Sequence, residues 1–155
     1  MAFKTDGGGI ALKLNDCKLA YGTSTWNTRL SQIGKMTGKI TICTYSLPDL
    51  PYIQQILDKR PYDITLIAHE RFRDKAEILM DRYPDLEIHL RPNVHAKYVL
   101  IEPQTVWLSS ENFGQSGWFE FALGIHSKEL YKLMLERTNR FLEEDEFFVD
   151  HLACS

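Results

Sequence analysis

VHAKYVLIEPQTVWLSSEN, residues 94–112, is the stretch that decides the fold. Val94 to Ile101 is a run of apolar, β-branched and aromatic residues with prolines on both sides, and this pattern predicts a β-strand. Thr105 to Leu108 follows after a short turn and predicts the partner strand of a hairpin. Because side chains alternate along a strand, His95 and Lys97 are expected on the same face.

The polar residues of this stretch favour a phosphate-binding site. A histidine beside a fixed ammonium group suits attack on a phosphate, because the cation neutralises charge that develops on the non-bridging oxygens. Ser110 and Asn112 lie just beyond the second strand and can donate further hydrogen bonds to the same phosphate. The alternative interpretation is a hairpin whose polar residues only face water.

The spacing resembles the H-x-K-x4-D-x6-G-S-x-N motif of the phospholipase D superfamily, which is matched at His95, Lys97, Ser110 and Asn112. The resemblance covers roughly residues 39–142 and implies a phospholipase D-like domain. It implies cleavage of a phosphodiester through a covalent phosphohistidine, with His95 as the nucleophile. Lys97, Ser110 and Asn112 would then bind the phosphate.

Two positions depart from the motif, and one further residue is implied by it. Glu102 replaces the aspartate and is one methylene longer, so its supporting contact would start from a shifted backbone. Ser109 replaces the glycine and adds a Cβ where glycine lets the chain approach the phosphate closely. Each change is either accommodated by the fold or identifies a relative with weakened catalysis.

The resemblance also implies that Glu120 accepts a hydrogen bond from Nδ1–H of His95 and fixes its tautomer. The alternative for Glu120 is an ordinary charged residue on a strand.

The amino-acid composition limits the classes of protein to which this chain can belong. The 155 residues are 44% hydrophobic and 25% charged, which is typical of one soluble globular domain. The formal net charge of −3 gives no general attraction to nucleic acid, so phosphate binding must come from a local patch. Three widely spaced cysteines and the lack of an apolar leader favour a reduced, cytoplasmic protein. No metal or cofactor is expected, because no histidine or carboxylate cluster has ligand spacing.

The order of elements predicts an α/β fold with a mixed β-sheet flanked by helices, as one phospholipase D-like domain over residues 1–155. Residues 1–9 contain three successive glycines and are expected to be a flexible lead-in. Further strands are expected at 10–14, 17–21, 40–45, 64–68, 86–90 and 119–125. Helices are expected at 25–36, 49–57, 71–83 and 127–142, with Phe72, Ala76, Leu79 and Met80 of the third one facing inward.

The chain carries one copy of the motif, although phosphohistidine chemistry needs a nucleophile and a general acid on opposite sides of the phosphorus. His126-Ser127-Lys128 imitates the start of a second copy, but Leu133 stands where its carboxylate is expected and no Ser-x-Asn follows. This favours a symmetric homodimer in which two hairpins meet at a two-fold axis. Small single-motif endonucleases of the superfamily, which the chain resembles, have that arrangement.

Nucleic acid, either DNA or RNA, is the first expectation for the substrate. Arg91, Lys35 and Lys39 are candidates for a phosphate-binding track, or ordinary surface residues. Trp118 and Phe119 are candidates to stack on bases, although Phe119 in the core and Trp118 at the pocket mouth is the simpler expectation. A catalytically silent nucleic-acid- or nucleotide-binding module and a phosphodiesterase acting on a small molecule or a phospholipid remain alternatives. Stable membrane association is not expected.

Overall fold

The computed structural model describes residues 3–152, and within that range the side chains of all residues except 28, 30, 31 and 145–152. Seven strands among these residues form one mixed sheet: β1 Cys17–Gly22, β2 Ile40–Cys43, β3 Ile64–His69, β4 Glu87–Arg91, β5 Tyr98–Ile101, β6 Thr105–Ser109 and β7 Glu120–His126. Their order across the sheet is β1-β7-β6-β5-β2-β3-β4. Strands β2, β3 and β4 are parallel, and the other neighbours are antiparallel.

Four α-helices cover the two faces of this sheet: α1 Trp26–Lys35, α2 Leu50–Lys59, α3 Arg73–Arg82 and α4 Lys128–Leu152. Helices α1, α2 and α3 lie on one face, where Trp26, Ile56 and Leu79 pack in one cluster with Ile42 and Trp107 of the sheet. Helix α4 lies on the other face. The predicted α/β fold with a mixed, helix-flanked sheet is therefore confirmed.

Helix α4 covers only part of its face of the sheet. Leu130 and Tyr131 pack on Leu100, Val106 and Ile125. A second cluster under the same helix contains Cys43, Ile67 and Val94, with Phe141 and Leu142 packed against it. Burial of Val94 therefore anchors the chain directly before His95.

Helix α2 begins immediately after the segment that follows β2. The Asp49 side chain accepts a hydrogen bond from the Tyr52 amide at 3.2 Å, and Pro51 lies in the first turn. Both features favour a helix start, because they satisfy or remove amide donors that lack a partner inside the helix. The cap fixes where the preceding segment, residues 44–48, leaves the sheet.

The structure changes several expected boundaries. β5 begins at Tyr98 rather than at Val94, because its partner β2 ends at Cys43, which pairs with Tyr98. Lys97 lies before β5 but is still hydrogen-bonded to β6, because its carbonyl accepts a hydrogen bond from the Ser109 amide at 3.0 Å. His95 and Lys97 therefore lie on an extended lead-in to the strand.

Three other expectations are wrong. No strand forms over residues 10–14, where Leu12 and Leu14 instead pack individually beside the cluster under α4. Met80 is 40% exposed, because the buried side of α3 consists of Ala76 and Leu79. Phe119 is 67% exposed rather than buried, since it precedes β7 at the end of a loop. Within the expected lead-in, the Asp6 and Gly9 main chains close an exposed turn through two hydrogen bonds.

Candidate active site

His95 and Lys97 lie together at the end of the sheet where β5 begins. The Lys97 Nζ donates to the carbonyl of His95 at 2.8 Å and lies 3.5 Å from its Nδ1. The imidazole is exposed, and the lysine is half-buried. Burial lowers the pKa of Lys97, and the nearby carboxylate of Glu120 opposes this shift. The expected histidine–ammonium pair is therefore present, although it is formed by the lead-in to the strand.

Tyr45 is a third group at this position and was not anticipated as a site residue. Its ring centroid is 5.1 Å from that of His95, and the Lys97 Nζ lies 5.9 Å from the centre of the tyrosine ring. Arg71 donates to the phenol oxygen at 3.0 Å. The signal in the sequence is a polar Tyr-Ser pair directly after the buried strand β2, where the chain leaves the sheet. Tyr45 therefore supports the imidazole from one side and carries an arginine beside it.

The side chain of Asn112 is held in one orientation by the segment that also carries Tyr45. Its Oδ1 accepts hydrogen bonds from the Ser46 amide at 3.1 Å and from the Thr44 hydroxyl at 3.3 Å. Its main-chain oxygen accepts from the Trp26 indole N–H at 2.8 Å. Because the acceptor half of the amide is engaged, the Nδ2 half is the one available to an anion.

Ser110 and Glu120 form a hydrogen-bonded unit beside Lys97. The Ser110 hydroxyl donates to one carboxylate oxygen of Glu120, and the Ser116 hydroxyl donates to the other at 3.0 Å. The expected hydrogen bond from His95 Nδ1 to Glu120 is not formed in this structure. Instead, the two serines donate to the two carboxylate oxygens, and Nδ1 of His95 faces Lys97.

Glu111, at the variable position of the motif, is one of the most buried residues, with 1% exposure. Its Oε2 accepts from the Thr25 amide at 2.7 Å and the Thr25 hydroxyl at 2.5 Å, and lies 3.3 Å from Arg29 NH2. Arg29 is also 1% exposed, and burial lowers its pKa to about 10 while Glu111 opposes the shift. A signal for Arg29 exists in the sequence, since it is three residues after Trp26 and four before Ile33, on the buried side of α1.

Ser109 faces this buried pair. Its Oγ accepts hydrogen bonds from the Glu111 amide at 2.9 Å and from Arg29 at 3.3 Å, and it lies 3.2 Å from the carbonyl of Phe121. The hydroxyl thus stabilises the turn that carries Ser110 and Asn112. The extra Cβ relative to glycine is accommodated inside the protein.

Glu102 lies at the opposite end of β5 from His95. Its carboxylate accepts a hydrogen bond from the Lys39 amide at 3.1 Å. It is five positions after Lys97, about 16 Å along an extended chain. In this structure, the supporting contact expected of Glu102 is made to the main chain at the start of β2 and not to a residue beside His95.

The three cations expected to form a phosphate-binding track do not lie together. Lys39 lies beside Glu102, and Lys35 is at the far end of α1 from Trp26, about 14 Å along the helix axis. Neither is near His95. Arg91 ends β4 opposite His69 and is on the same end of the sheet as Tyr45 and Arg71. Lys97, Arg71 and Arg91 therefore lie at the site end of the sheet, and Arg137 lines the pocket beside His95.

Two pockets flank the histidine and asparagine. One, of about 420 Å³, extends from His95 to α4 and is lined by Val94, Tyr98, Met134, Thr138 and Phe141, among others. The other, of about 300 Å³, is lined by Asn112, Ser116, Trp118 and Glu120, among others. The Trp118 side chain is 80% exposed at its rim. Among the side chains that the structure describes, no three from His, Cys, Asp or Glu are arranged to hold a metal ion. No helix of the described chain has the length and apolar character to cross a membrane.

No protein-family model matches this sequence, and no curated protein matches it. Solved structures match most of its length. Nuc from Salmonella typhimurium, a phospholipase D family member, has a TM-score of 0.66 and 20% identity, covering 79% of this chain and 90% of Nuc. NucT from Helicobacter pylori has a TM-score of 0.63 and 17% identity, covering 83% of this chain and 97% of NucT.

A third similar structure is that of TrmBL2, an archaeal chromatin protein with a novel mode of DNA binding. It has a TM-score of 0.59 and 12% identity, and the match covers 84% of this chain and 53% of TrmBL2. These matches show that the chain has the fold of the phospholipase D superfamily, as the motif implied. Within that fold, it is similar over most of its length to the compact proteins Nuc and NucT.

Proposed function

We propose that this protein is a metal-independent phosphodiesterase of the phospholipase D type that cleaves nucleic acid with His95 as nucleophile. The observation that carries this proposal is the grouping of His95, Lys97 and Asn112 at one end of the sheet. Tyr45 and its neighbours link them, because the tyrosine contacts the imidazole while Thr44 and Ser46 hold the asparagine. An ammonium and an amide N–H2 next to an imidazole suit an anionic phosphodiester.

The chemistry has two steps. His95 Nε2 attacks phosphorus, a P–N bond forms, the P–O bond to the leaving group breaks, and a general acid protonates the departing oxygen. Water then attacks the phosphohistidine, the P–N bond breaks, and the conjugate base of that acid takes the proton. Lys97 and the Asn112 amide stabilise charge on the non-bridging oxygens in both steps, which is the role a metal ion has in other phosphodiesterases.

The general acid comes from a second subunit in this proposal. One chain supplies one motif histidine, and the two roles lie on opposite sides of the phosphorus. A homodimer with a two-fold axis through the site brings the partner subunit's His95 to the leaving oxygen. His95 Nδ1 faces Lys97 rather than Glu120, so no carboxylate of the described chain commits the ring to one of the two roles.

Three observations support nucleic acid as the substrate. The exposed indole of Trp118 lies at the rim of the pocket that contains Asn112, where a base can stack. Arg71 and Arg91 place positive charge at the same end of the sheet. The fold is also that of TrmBL2, an archaeal chromatin protein whose structure shows a novel mode of DNA binding.

Incubation with single- and double-stranded DNA and RNA in EDTA tests this function. The wild-type protein is expected to cleave at least one of these polymers. His95→Ala should abolish turnover while keeping the fold, because its side chain is exposed. Lys97→Ala and Asn112→Ala should each lower kcat by about 10²-fold or more through lost charge stabilisation.

His126→Ala is the matched control. His126 is also an exposed histidine, but it pairs with Asp16 at the far end of β7, about 20 Å along the strand from Glu120. Its removal should leave cleavage unchanged. Complete loss of activity on chelation with recovery in Mg²⁺ or Zn²⁺ would contradict the mechanism. Binding without cleavage by the wild type would identify a silent binding module instead.

A further inference from the structure

Six large apolar side chains on β6, β7 and β1 and beside them are exposed, and together they are termed the apolar face. They are Leu19 (56% exposed), Tyr21 (69%), Leu108 (38%), Phe119 (67%), Phe121 (47%) and Leu123 (36%). Aromatic and leucine side chains on a sheet are normally covered by another layer. Their exposure therefore requires an explanation.

The residues of the apolar face are neighbours in the sheet. Leu123 is paired with Leu19 on one side and with Leu108 on the other, and Phe121 is paired with Tyr21. The rings of Phe119 and Phe121 lie edge to face, with their centroids 4.9 Å apart. Intervening side chains of these strands, Ala122 and Trp107, point into the core on the opposite face. Together, the six side chains form one continuous patch on the side of the sheet where α4 lies. Helix α4 packs on Val106 and Ile125 of that side and leaves the patch uncovered.

The patch has the area of a protein interface. At about 200 Å² for a fully exposed large side chain, the six residues expose roughly 600 Å² of mostly apolar surface. This is at the upper end for the largest patch of a typical monomer. It approaches the roughly 800 Å² that each partner contributes to a standard stable interface.

The apolar face is also continuous with the candidate active site. Phe121 follows Glu120, its amide donates to the Ser110 hydroxyl at 3.0 Å, and its carbonyl accepts from the Ser110 amide at 3.0 Å. A protein bound to this face therefore lies directly beside the residues proposed to hold the phosphate. A protein suits this face better than nucleic acid, because none of the six side chains is a cation that would neutralise phosphates.

We infer that the apolar face binds a second copy of this chain and is the interface of the homodimer. The inference rests on the proposed function, since a composite site requires the partner to lie next to Ser110 and Glu120. A two-fold axis brings the same face of each subunit together, and an uncharged face meets its own copy without unpaired buried charge. β1 and β7, which lie outside the motif, therefore determine which chain completes the site.

Substitutions to glutamate, measured by analytical ultracentrifugation over a range of concentrations, test the interface. Wild type is expected to sediment as a dimer. Leu123→Glu places a charge at the centre of the face, and Leu19→Glu places one on β1, away from the site. Each should raise the dimer dissociation constant by about 10²-fold or more, because two charges would be desolvated per dimer. Ile78→Glu is the matched control, since Ile78 is 49% exposed on α3, and it should stay dimeric.

Thermal unfolding of each variant checks that the subunits are folded, and Leu19→Glu carries the test if Leu123→Glu fails to fold. Mixing Leu123→Glu with Leu123→Lys should restore dimers, because opposite charges then face each other across the axis. A monomeric wild type, or folded glutamate variants that remain dimeric, would overturn the assignment of this face. If a folded glutamate variant is monomeric but as active as the wild type, the apolar face is the dimer interface and the composite site is rejected.

Discussion

Glu111 and Arg29 form an ion pair of 3.3 Å in which both side chains are 1% exposed. Removing both charges from water costs free energy, and the Thr25 hydrogen bonds to Glu111 offset part of this cost. The pair connects α1 to the turn between Ser109 and Asn112. Residues that never touch the substrate therefore hold the asparagine that does in the proposed mechanism.

Arg29→Met should lower the free energy of unfolding by about 3 kcal/mol or more, because it leaves the buried Glu111 carboxylate without its cation. Urea unfolding followed by circular dichroism measures this change. Arg140→Met is the matched control. Arg140 pairs with Glu136 at 2.8 Å, but both side chains are 58% exposed, so the loss should be below about 0.5 kcal/mol. Equal effects of the two substitutions would show that the buried pair has no special role in stability.

Trp118 offers a second test at the level of one residue. Its indole is 80% exposed beside the pocket of Asn112 and Glu120. Trp118→Ala should weaken binding of a single-stranded oligonucleotide about 10-fold through loss of one stacked base, whereas Trp118→Phe should retain most of the affinity. Fluorescence anisotropy measures both. Tyr62→Ala removes an aromatic residue that is 55% exposed at the far end of β3 and should have no effect. Unchanged binding by Trp118→Ala would place base contacts elsewhere.

Among the secondary-structure elements, the packing of β6 against β7 depends on a glycine. A Cβ on Gly124 would lie 2.6 Å from the Trp107 indole, whose N–H donates to Gln32 of α1 at 2.6 Å. The indole is 2% exposed and has no free space into which to move. Close approach of these two strands to α1 therefore requires the absence of a side chain at this position.

Gly124→Ala should destabilise the protein by about 2 kcal/mol or more, because the added methyl overlaps a buried ring. Gly34→Ala makes the same chemical change inside α1 where nothing lies within 4 Å of the new methyl. It should raise the free energy of unfolding by about 0.5–1 kcal/mol through helix propensity. The two melting temperatures are thus expected to shift in opposite directions. A neutral Gly124→Ala would mean that Trp107 repacks.

The sequence predicted the elements far better than the contacts between them. Apolar runs such as Ile64–Ala68 lie within the observed strands because a buried strand needs an uninterrupted apolar segment. The start of β5 was misplaced, since it depends on where β2 ends, and β2 lies more than fifty residues earlier in the chain. Exposure of Phe119 was misjudged for a related reason, because local hydrophobicity does not show which face of a sheet lacks a cover.

The motif likewise identified the residue types of the site but not all of their partners. His95 and Lys97 are two residues apart, so their proximity follows from local geometry. The contacts of Tyr45 with His95 and of Glu120 with Ser116 depend on how loops meet after folding. The distance of Glu102 from His95, in contrast, follows from the predicted strand itself, because Glu102 comes after its last residue, Ile101.

At the scale of the whole molecule, the single motif histidine of each chain makes pairing of subunits part of the proposed chemistry. The face proposed for the dimer begins at Phe121, whose amide donates to the Ser110 hydroxyl and whose carbonyl accepts from the Ser110 amide. In the proposal, dimer formation and site assembly are therefore coupled. Such coupling means that loss of pairing should remove turnover even when every site residue is intact. Mutant and wild-type subunits in one dimer separate this effect from simple dilution.

Mixing wild type with a nine-fold excess of His95→Ala, followed by time for subunit exchange, should lower activity per wild-type subunit about 10-fold. In a composite site, a heterodimer has one His95 and lacks either nucleophile or acid, so only the rare wild-type pairs turn over. Initial cleavage rates in EDTA measure the effect. An excess of the double variant Leu19→Glu, His95→Ala is the control, because a subunit that cannot pair leaves wild-type dimers intact. Activity in strict proportion to wild-type subunits after demonstrated exchange would mean that each His95 works alone, with its acid supplied from within the same chain.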